Sequence, residues 1–266
     1  MKGQTTMRRN KVRDIWAAGG EVVTGWLGIP STISAELMAQ QGWDALTVDL
    51  QHGATDYADM VPMLQAISTT DTAPFVRVPW NDPAIIGKVL DAGAYGVICP
   101  MVNTADEADA FVRACRYFPK GGRSVGPLRA SLYAGPDYFK HANETIVTMA
   151  MIESEQAVKN LEDILKTPNL DAIFVGPSDL AVTMGEAPGF DPRYPAVYEA
   201  IEYIAAKCKE AGVIPGIHCG SVAYGVDMRK LGYRFMAYLS DFRMLQQIVS
   251  RSLPAFRTGA VSDLTP

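Results

Sequence analysis

Eight short apolar runs, separated by segments with helical periodicity, constrain the fold of this 266-residue chain more than any other feature of its sequence. Most of these runs are almost continuous in apolar residues, which is typical of parallel strands that are covered on both faces. Eight repeated strand–helix units in a chain of this length predict a single α/β domain, a (β/α)8 or TIM barrel. The predicted strands are residues 22–27, 45–50, 73–78, 96–100, 146–152, 172–175, 213–217 and 234–239.

The segments between the runs carry helix signals. Residues 57–67 place apolar side chains at the spacing of one helix face. Asp191-Pro192 predicts the start of a long helix that ends near Ala211, with Gly212 as its C-cap. An open, doubly wound sheet is the competing architecture. The even number of runs and the lack of a GxGxxG motif after the first run favour the closed barrel.

One stretch interrupts the alternation between the fourth and fifth runs. Residues from about 118 to 146 are rich in glycine and proline, which predicts an irregular insertion. Such insertions are usually functional or pack against another subunit. Residues 1–13 form a polar, basic extension that lacks the apolar segment of a signal peptide. We therefore expect one barrel domain over residues 1–266, with this extension and this insertion.

Composition limits the classes of partner. A net charge of −5 argues against nucleic acid and anionic membranes, but not against a small anionic substrate, because one arginine can bind that. No run reaches the ~18 apolar residues of a membrane span. The four cysteines include no CxxC pair, which argues against a zinc or redox motif. We therefore expect a cytoplasmic protein that acts on small molecules.

Two acidic residues stand at the ends of consecutive predicted strands. Glu153 closes the fifth run, and Asp179 follows the sixth. A carboxylate directly after a buried strand loses hydration, so we expect it to bind something. Two such carboxylates predict a divalent metal ion held by oxygen ligands. Asp179 alone would also fit an acid in a first helical turn, so the pair is what favours the metal.

The second and third runs end in further candidates. His52 follows Asp49 by three residues, which predicts a general acid/base oriented by a carboxylate; the alternative is a structural histidine. Arg77 ends an apolar run, and a guanidinium in that position needs an anion. We expect Arg77 to bind a carboxylate or enolate oxygen of the substrate. An ion pair with Asp49 or Glu153 is the alternative.

Other strand ends complete the predicted substrate pocket. Gly176 and Pro177 bring the main chain close to the ligand, and Ser178 follows them, so a backbone N–H in this segment could serve an oxyanion. Trp26 is expected to form an apolar wall. His218 directly follows the seventh run, and we expect it to contact a second substrate.

The lysines argue against one catalytic mechanism. None of them lies inside an apolar run. Schiff-base catalysis needs a desolvated lysine that points into the barrel. Metal-assisted chemistry is therefore favoured over Schiff-base chemistry.

Four segments together resemble the HpcH/HpaI aldolase family, and the resemblance extends from about residue 26 to residue 241. The segments are residues 48–53 (VDLQHG), 76–83 (VRVPWNDP), 151–154 (MIES) and 174–180 (FVGPSDL). The members of this family are class II, metal-dependent pyruvate aldolases related to the 4-hydroxy-2-oxoheptane-1,7-dioate aldolases. The resemblance implies a (β/α)8 barrel that commonly assembles as hexamers in which dimers exchange a terminal helix, so we expect a homo-oligomer.

The resemblance also implies roles for five residues. Glu153 and Asp179 match the metal ligands, usually for Mg²⁺, Mn²⁺ or Co²⁺. His52 matches the catalytic histidine and Asp49 its partner. Arg77 matches the arginine that binds pyruvate.

The function implied is reversible aldol cleavage of 4-hydroxy-2-oxo acids into an aldehyde and pyruvate, or a related 2-oxo acid such as hydroxypyruvate. Two alternatives stay open. One is a lyase or decarboxylase that uses the same metal enolate on oxaloacetate or a malyl-type substrate. The other is a barrel that binds a 2-oxo acid without turnover. Many relatives have Glu in place of Gln51 and Gln in place of Met151. Neither difference removes a predicted metal ligand, but both leave the exact substrate unassigned.

Overall fold

The computed structural model describes residues 7–259. Within this range eight strands, each parallel to its neighbours, close into a barrel in sequence order. The predicted TIM barrel is therefore confirmed, and each predicted run overlaps one strand. The strands are β1 (Val22–Leu27), β2 (Ala45–Asp49), β3 (Ala73–Arg77), β4 (Gly96–Cys99), β5 (Val147–Ile152), β6 (Ala172–Val175), β7 (Ile214–Cys219) and β8 (Phe235–Ser240).

Helices cover the outside of the barrel. No helix within residues 7–259 combines the length and hydropathy needed to cross a bilayer. The helices are α1 (Lys11–Ala17), α2 (Thr32–Ala39), α3 (Tyr57–Ile67), α4 (Pro83–Asp91), α5 (Ala105–Cys115), α6 (Leu128–Ala134), α7 (Tyr138–Thr145), α8 (Glu155–Lys159), α9 (Leu161–Ile164), α10 (Pro177–Thr183), α11 (Pro195–Ala211), α12 (Val222–Leu231) and α13 (Asp241–Thr258).

The long helix α11 begins later than its sequence predicted. The predicted start was Asp191-Pro192, but the first helical residue is Pro195, where the missing N–H of proline is tolerated. Asp191 instead accepts a hydrogen bond from the backbone N–H of Gly220 at 2.7 Å, which ties this loop to the end of β7. Gly212 ends the helix in the left-handed conformation, as predicted.

The segment predicted to be irregular contains two helices, α6 and α7. The glycines and prolines that suggested irregularity lie before α6 and between the two helices. Arg123 anchors the loop before α6. Its buried guanidinium donates to the carboxylate of Asp91 at 2.6 Å and to the hydroxyl of Tyr138 at 3.0 Å. The insertion is therefore packed against the barrel through a buried, paired charge.

Helix α1 closes the N-terminal end of the barrel. Trp16 packs edge-on against Phe235, with ring centroids 6.1 Å apart, and its Nε1 donates to the carbonyl of Arg234 at 3.0 Å. The polar extension predicted for residues 1–13 therefore includes the start of α1 and the buried Val12. Residues 1–6 of that extension lie outside the described residues. With this end closed, the opposite end is available for a ligand.

Helix α13 is amphipathic but is packed only at its start. Asp241, its one buried residue, accepts hydrogen bonds from the backbone N–H of Gly28 and the hydroxyl of Ser34, both at 2.8 Å. Beyond that turn, large apolar side chains are exposed. Large contiguous apolar patches are uncommon on the surface of monomeric proteins. The apolar face of α13 consists of Phe242, Leu245, Ile248, Val249, Leu253 and Phe256.

Candidate active site

A cavity of about 600 Å³ opens at the C-terminal ends of the strands. This is the face at which the strand ends of a TIM barrel converge, so residues far apart in sequence meet there. The structure brings together every residue that the sequence predicted for the site. The cavity is lined by Trp26, Asp49, His52, Arg77, Glu153, Gly176, Pro177, Ser178, Asp179 and His218.

Asp49 and Arg77 form an ion pair at the ends of β2 and β3. Nε and Nη2 of Arg77 donate to the two carboxylate oxygens of Asp49 at 2.8 and 2.6 Å. Burial alone raises the pKa of Asp49, but the hydrogen bond and charge of Arg77 outweigh it. With help from the backbone N–H groups of Gln51 and His52, the pKa of Asp49 falls below its usual value. Asp49 is therefore ionised at neutral pH and fixes the guanidinium.

The guanidinium of Arg77 also faces the cavity. It lies over the ring of Trp26, 4.4 Å from the centroid, at a distance typical of a cation–π contact. Its Nη1 has no hydrogen-bond partner within the part of the chain that the structure describes. The ion pair with Asp49 therefore exists, but it leaves one guanidinium nitrogen to donate to an anion in the cavity.

His52 lies at the mouth of the cavity with an exposed side chain. The sequence predicted that the carboxylate of Asp49 orients its imidazole. The carboxylate instead accepts a hydrogen bond from the backbone N–H of His52, 3.3 Å away, and none from the imidazole within residues 7–259. Asp49 therefore fixes the main chain that carries His52. The imidazole is not bound to Asp49 and is free to accept a proton from a group in the cavity.

Glu153 is a buried carboxylate beside a second acid. Only 3% of its surface is exposed, and its Oε1 accepts a hydrogen bond from the backbone N–H of Met101 at 2.7 Å. Burial raises the pKa of Glu153 to about 7; the Met101 hydrogen bond lowers it, and the charge of Asp179 raises it further. The charge of Asp179 in the same cavity therefore disfavours ionisation of Glu153, and a cation between the two acids would offset this repulsion.

Gly176 allows the start of α10 to approach Glu153 closely. A Cβ at this position would collide with the carboxylate of Glu153, and it would also lie 3.1 Å from the Cε of Met151. Pro177 is the first residue of α10, and Asp179 lies in its first turn. A glycine followed by a helix start therefore sets the second acid next to the first.

The donor set of this site fits a hard divalent ion. Within residues 7–259, no group of three or more histidine, cysteine or acidic side chains could enclose a metal. Glu153 and Asp179 would contribute two carboxylates. Mg²⁺ is usually bound in this way, by one or two carboxylates, with water and substrate oxygens completing an octahedron. The residues present therefore fit such an ion.

His218 lies in the same wall as Trp26. Their ring centroids are 5.7 Å apart, and the ring centroids of Phe190 and His218 are 4.8 Å apart. Burial lowers the pKa of His218 to about 4; the charge of Arg77 acts in the same direction and that of Asp49 opposes it. The imidazole is therefore neutral at physiological pH.

Comparison with known proteins decides the family. The model of the HpcH/HpaI aldolase/citrate lyase family matches residues 24–244. This range includes every residue that lines the cavity. The chain belongs to the HpcH/HpaI aldolase/citrate lyase family. The family predicted from four sequence segments is thereby confirmed.

Curated members of the HpcH/HpaI family are close relatives. The chain is 42% identical over 236 residues to a hydroxypyruvate/pyruvate aldolase of Rhizorhabdus wittichii, covering 89% of this chain and 94% of the relative. It is 38% identical over 239 residues to a 4-hydroxy-2-oxo-heptane-1,7-dioate aldolase of Klebsiella pneumoniae, covering 89% of each. The predicted enzyme class, a carbon–carbon lyase of the aldolase type, is confirmed by these relatives.

A solved structure of the family shares the fold. An HpcH/HpaI aldolase/citrate lyase family protein from Burkholderia cenocepacia superposes with a TM-score of 0.87 at 31% identity. The match covers 94% of this chain and 100% of the other. The barrel of this chain is therefore the barrel of its family.

Met101 and Phe190 belong to this HpcH/HpaI site but were not predicted from the sequence. Met101 has a φ of 54°, which is uncommon outside glycine, and its N–H holds Glu153. Its position directly after Pro100, at the end of the fourth run, was the available signal. Phe190 lines the cavity from a loop between α10 and α11, where no periodicity marks it.

Proposed function

We propose that this enzyme catalyses the reversible aldol cleavage of 4-hydroxy-2-oxo acids into an aldehyde and pyruvate or hydroxypyruvate. The observation that carries the proposal is that Glu153 and Asp179 share one cavity with the Asp49–Arg77 pair. Two acids and one fixed guanidinium suit a metal ion and a small carboxylate together. The names of the relatives from Rhizorhabdus wittichii and Klebsiella pneumoniae support the same substrates.

Glu153 and Asp179 would hold the metal ion. Mg²⁺, Mn²⁺ and Co²⁺ are the candidates, because oxygen ligands accept several divalent ions. When bound, such an ion supplies Lewis-acid polarisation of the 2-oxo acid. The backbone N–H of Met101 holds one oxygen of Glu153 in place for this role.

Arg77 would bind the oxygen on which negative charge develops. Its Nη1 is the donor that the ion pair leaves unused, and Asp49 keeps the guanidinium in place. Charge grows on the keto oxygen as the C3–C4 bond breaks, so a fixed donor there stabilises the transition state more than the ground state. Loss of Arg77 is expected to lower the rate ~100-fold or more.

His52 would move the proton of the 4-hydroxyl, directly or through a water molecule. During cleavage the 4-hydroxyl loses its proton as the C3–C4 bond breaks and the aldehyde forms. C3 then takes up a proton and becomes the methyl group of pyruvate. The imidazole is exposed at the cavity mouth, so it would exchange that proton with solvent.

Release of pyruvate from a 4-hydroxy-2-oxo acid tests the proposal. Protein treated with EDTA should lose activity, and Mg²⁺, Mn²⁺ or Co²⁺ should restore it. Glu153→Gln should not be restored, whereas Glu155→Gln should behave as the parent, because Glu155 is an exposed acid paired with Lys159.

Two outcomes of that experiment would contradict the proposal. Full activity in the chelator would contradict the metal site. Absence of pyruvate with every metal would contradict the aldol reaction. Oxaloacetate offered to the same preparation would then show whether the alternative, decarboxylation, is the main activity.

We further propose a homo-oligomer, with the hexamer implied by the family resemblance as the expected state. The apolar face of α13 supports it, since six large apolar side chains are exposed along this one helix. A second copy of the chain would cover that face. The substrates are proposed to be small molecules, with neither nucleic acid nor membrane as partner.

A cytoplasmic location is likewise proposed. Cys99, Cys115, Cys208 and Cys219 are all free and buried. Burial raises the pKa of Cys115 to about 12, so this thiol packs as an inert apolar group. Free thiols are typical of reducing compartments, where disulfides are rare.

A further inference from the structure

One wall of the cavity is a continuous series of ring contacts. It starts at Arg77, whose guanidinium lies 4.4 Å from the centroid of Trp26. Trp26 contacts His218 at 5.7 Å, and His218 contacts Phe190 at 4.8 Å between centroids. Arg243 follows at the mouth, 5.8 Å from the Phe190 ring. His218 therefore lies between the guanidinium proposed to bind the 2-oxo acid and the opening of the cavity.

The imidazole of His218 is the polar group in the middle of this wall. Neither of its nitrogens has a hydrogen-bond partner within residues 7–259. The indole nitrogen of Trp26 also lacks a partner there, but it is shielded from the cavity. A structural histidine would normally have its nitrogens satisfied by the protein. The unpaired imidazole of His218 is therefore left to a ligand.

The charge state of His218 limits what that ligand can be. Burial and the nearby charge of Arg77 keep the imidazole neutral, with its pKa lowered to about 4. A neutral imidazole has one donor nitrogen and one acceptor nitrogen. It does not supply the positive charge that a carboxylate needs. A hydroxyl group matches it, because a hydroxyl both donates and accepts.

We propose that His218 determines acceptor specificity by hydrogen bonding to a hydroxyl on the aldehyde, so that the preferred acceptors are 2-hydroxyaldehydes. This inference rests on the proposed aldol function. The 2-oxo acid is expected at Arg77 and the two acids, so the aldehyde must approach from the mouth, along the side of the wall where His218 lies. A buried group left unpaired by an apolar substrate discriminates strongly against that substrate.

Glycolaldehyde and propanal test the inference, because propanal carries a methyl group in place of the hydroxyl. Addition of each aldehyde to pyruvate gives a ratio of kcat/KM values. His218→Leu is expected to lower the glycolaldehyde-to-propanal ratio at least about tenfold, the loss expected for one hydrogen bond in a dry site. His218→Gln keeps a neutral donor and acceptor and is expected to restore part of the ratio. Phe190→Leu, the matched control on the same wall, should change both aldehydes alike.

Deuterium exchange into the methyl group of pyruvate, without any aldehyde, distinguishes failure of the proposed aldolase function from failure of the inference on His218. If the parent enzyme shows no metal-dependent exchange, the proposed function fails. If the parent and His218→Leu exchange at the same rate and also have the same glycolaldehyde-to-propanal ratio of kcat/KM, the inference on His218 fails. Exchange also reports folding. His218→Phe, which keeps the ring packing, replaces His218→Leu if the leucine variant loses exchange.

Hydroxypyruvate distinguishes the source of the hydroxyl. The inference assigns the hydroxyl to the aldehyde, so His218→Leu should lower exchange at C3 of hydroxypyruvate by no larger a factor than exchange at the methyl group of pyruvate. A selective loss of that exchange, with an unchanged aldehyde ratio, would place the hydroxyl on the 2-oxo acid and overturn the inference.

Discussion

Asp49 and Arg77 stand opposite each other in the parallel register of β2 and β3, and contacts of 2.8 and 2.6 Å join their side chains. The pair uses two of the three guanidinium nitrogens. Because both residues end neighbouring strands, the backbone register sets the position of the third nitrogen before any ligand arrives. Such preorganisation is what makes a fixed donor effective in a transition state.

Asp49→Asn is the first test of this positioning role. The amide keeps one acceptor and loses the charge, so Arg77 retains at most one of its two hydrogen bonds. We expect kcat/KM for a 4-hydroxy-2-oxo acid to fall about tenfold, the equivalent of one charge-assisted hydrogen bond. Steady-state kinetics measure this loss, and metal affinity serves as the control. A variant that lost metal affinity instead would show that Asp49 belongs to the metal site.

Gly176→Ala tests the approach of α10 to Glu153. The added Cβ would collide with the carboxylate, so Glu153 has to move. We expect the affinity for Mn²⁺, measured by titration calorimetry, to fall at least about tenfold, as for other changes that disturb ligand position. Gly189→Ala is the matched control, because nothing lies within 4 Å of a Cβ there. Unchanged affinity in Gly176→Ala would argue against Glu153 as a ligand.

The stability of the fold should depend on pH through His218. Its pKa falls from 6.5 to about 4 on folding, so between these values the unfolded chain binds the proton and the folded chain does not. The stability contributed by the neutral form is complete above pH 6.5 and is lost as the pH falls towards 4. Asp49 and Arg77 are the charged groups that act on this imidazole.

His218→Gln removes this titration and provides the reference. The free energy of unfolding of the parent should decrease more than that of the variant between pH 6.5 and 4, by at most about 3 kcal/mol. Urea denaturation at a series of pH values measures the difference. If the free energy of unfolding varied with pH in the same way for the two proteins, the imidazole would be protonated equally in the folded and unfolded states.

The apolar face of α13 predicts assembly. Leu245→Asp introduces a charge into that face, and burial of an unpaired charge is costly, so we expect dissociation to smaller species. Gln247→Asp adds the same charge at an exposed polar position of the same helix. Light scattering after gel filtration measures the mass. If both variants keep the mass of the parent, α13 does not form the interface.

The barrel and the residues that line its site could be predicted because parallel strands all end at the same face of the barrel. Side chains at the carboxyl ends of such strands meet at one face, so Glu153 and Asp179 were placed together from their positions after β5 and β6. The ion pair of Asp49 with Arg77 was predicted only as the alternative to substrate binding by Arg77. The spacing of Asp49 from His52 suggested a local pair, whereas the strand register sets Asp49 opposite Arg77.

Loops account for what the sequence did not predict. Phe190 lies in the loop before α11, where no periodicity indicates which side chain turns inward. The start of α11 was misplaced because Asp191-Pro192 has the composition of a helix start, but Asp191 bonds across the fold to Gly220. Met101 holds Glu153 through its main chain, so its side-chain identity carried little information.

Deuterium uptake into the methyl group of pyruvate, in D₂O and without aldehyde, tests most directly whether this cavity turns a 2-oxo acid into a carbon nucleophile with the help of a divalent ion. Proton NMR follows the loss of the methyl signal. We expect exchange with Mg²⁺, no exchange with EDTA, and no exchange in Glu153→Gln with Mg²⁺ present. Exchange at an equal rate in EDTA, or none in the parent enzyme with any divalent ion, would contradict the metal-dependent aldolase.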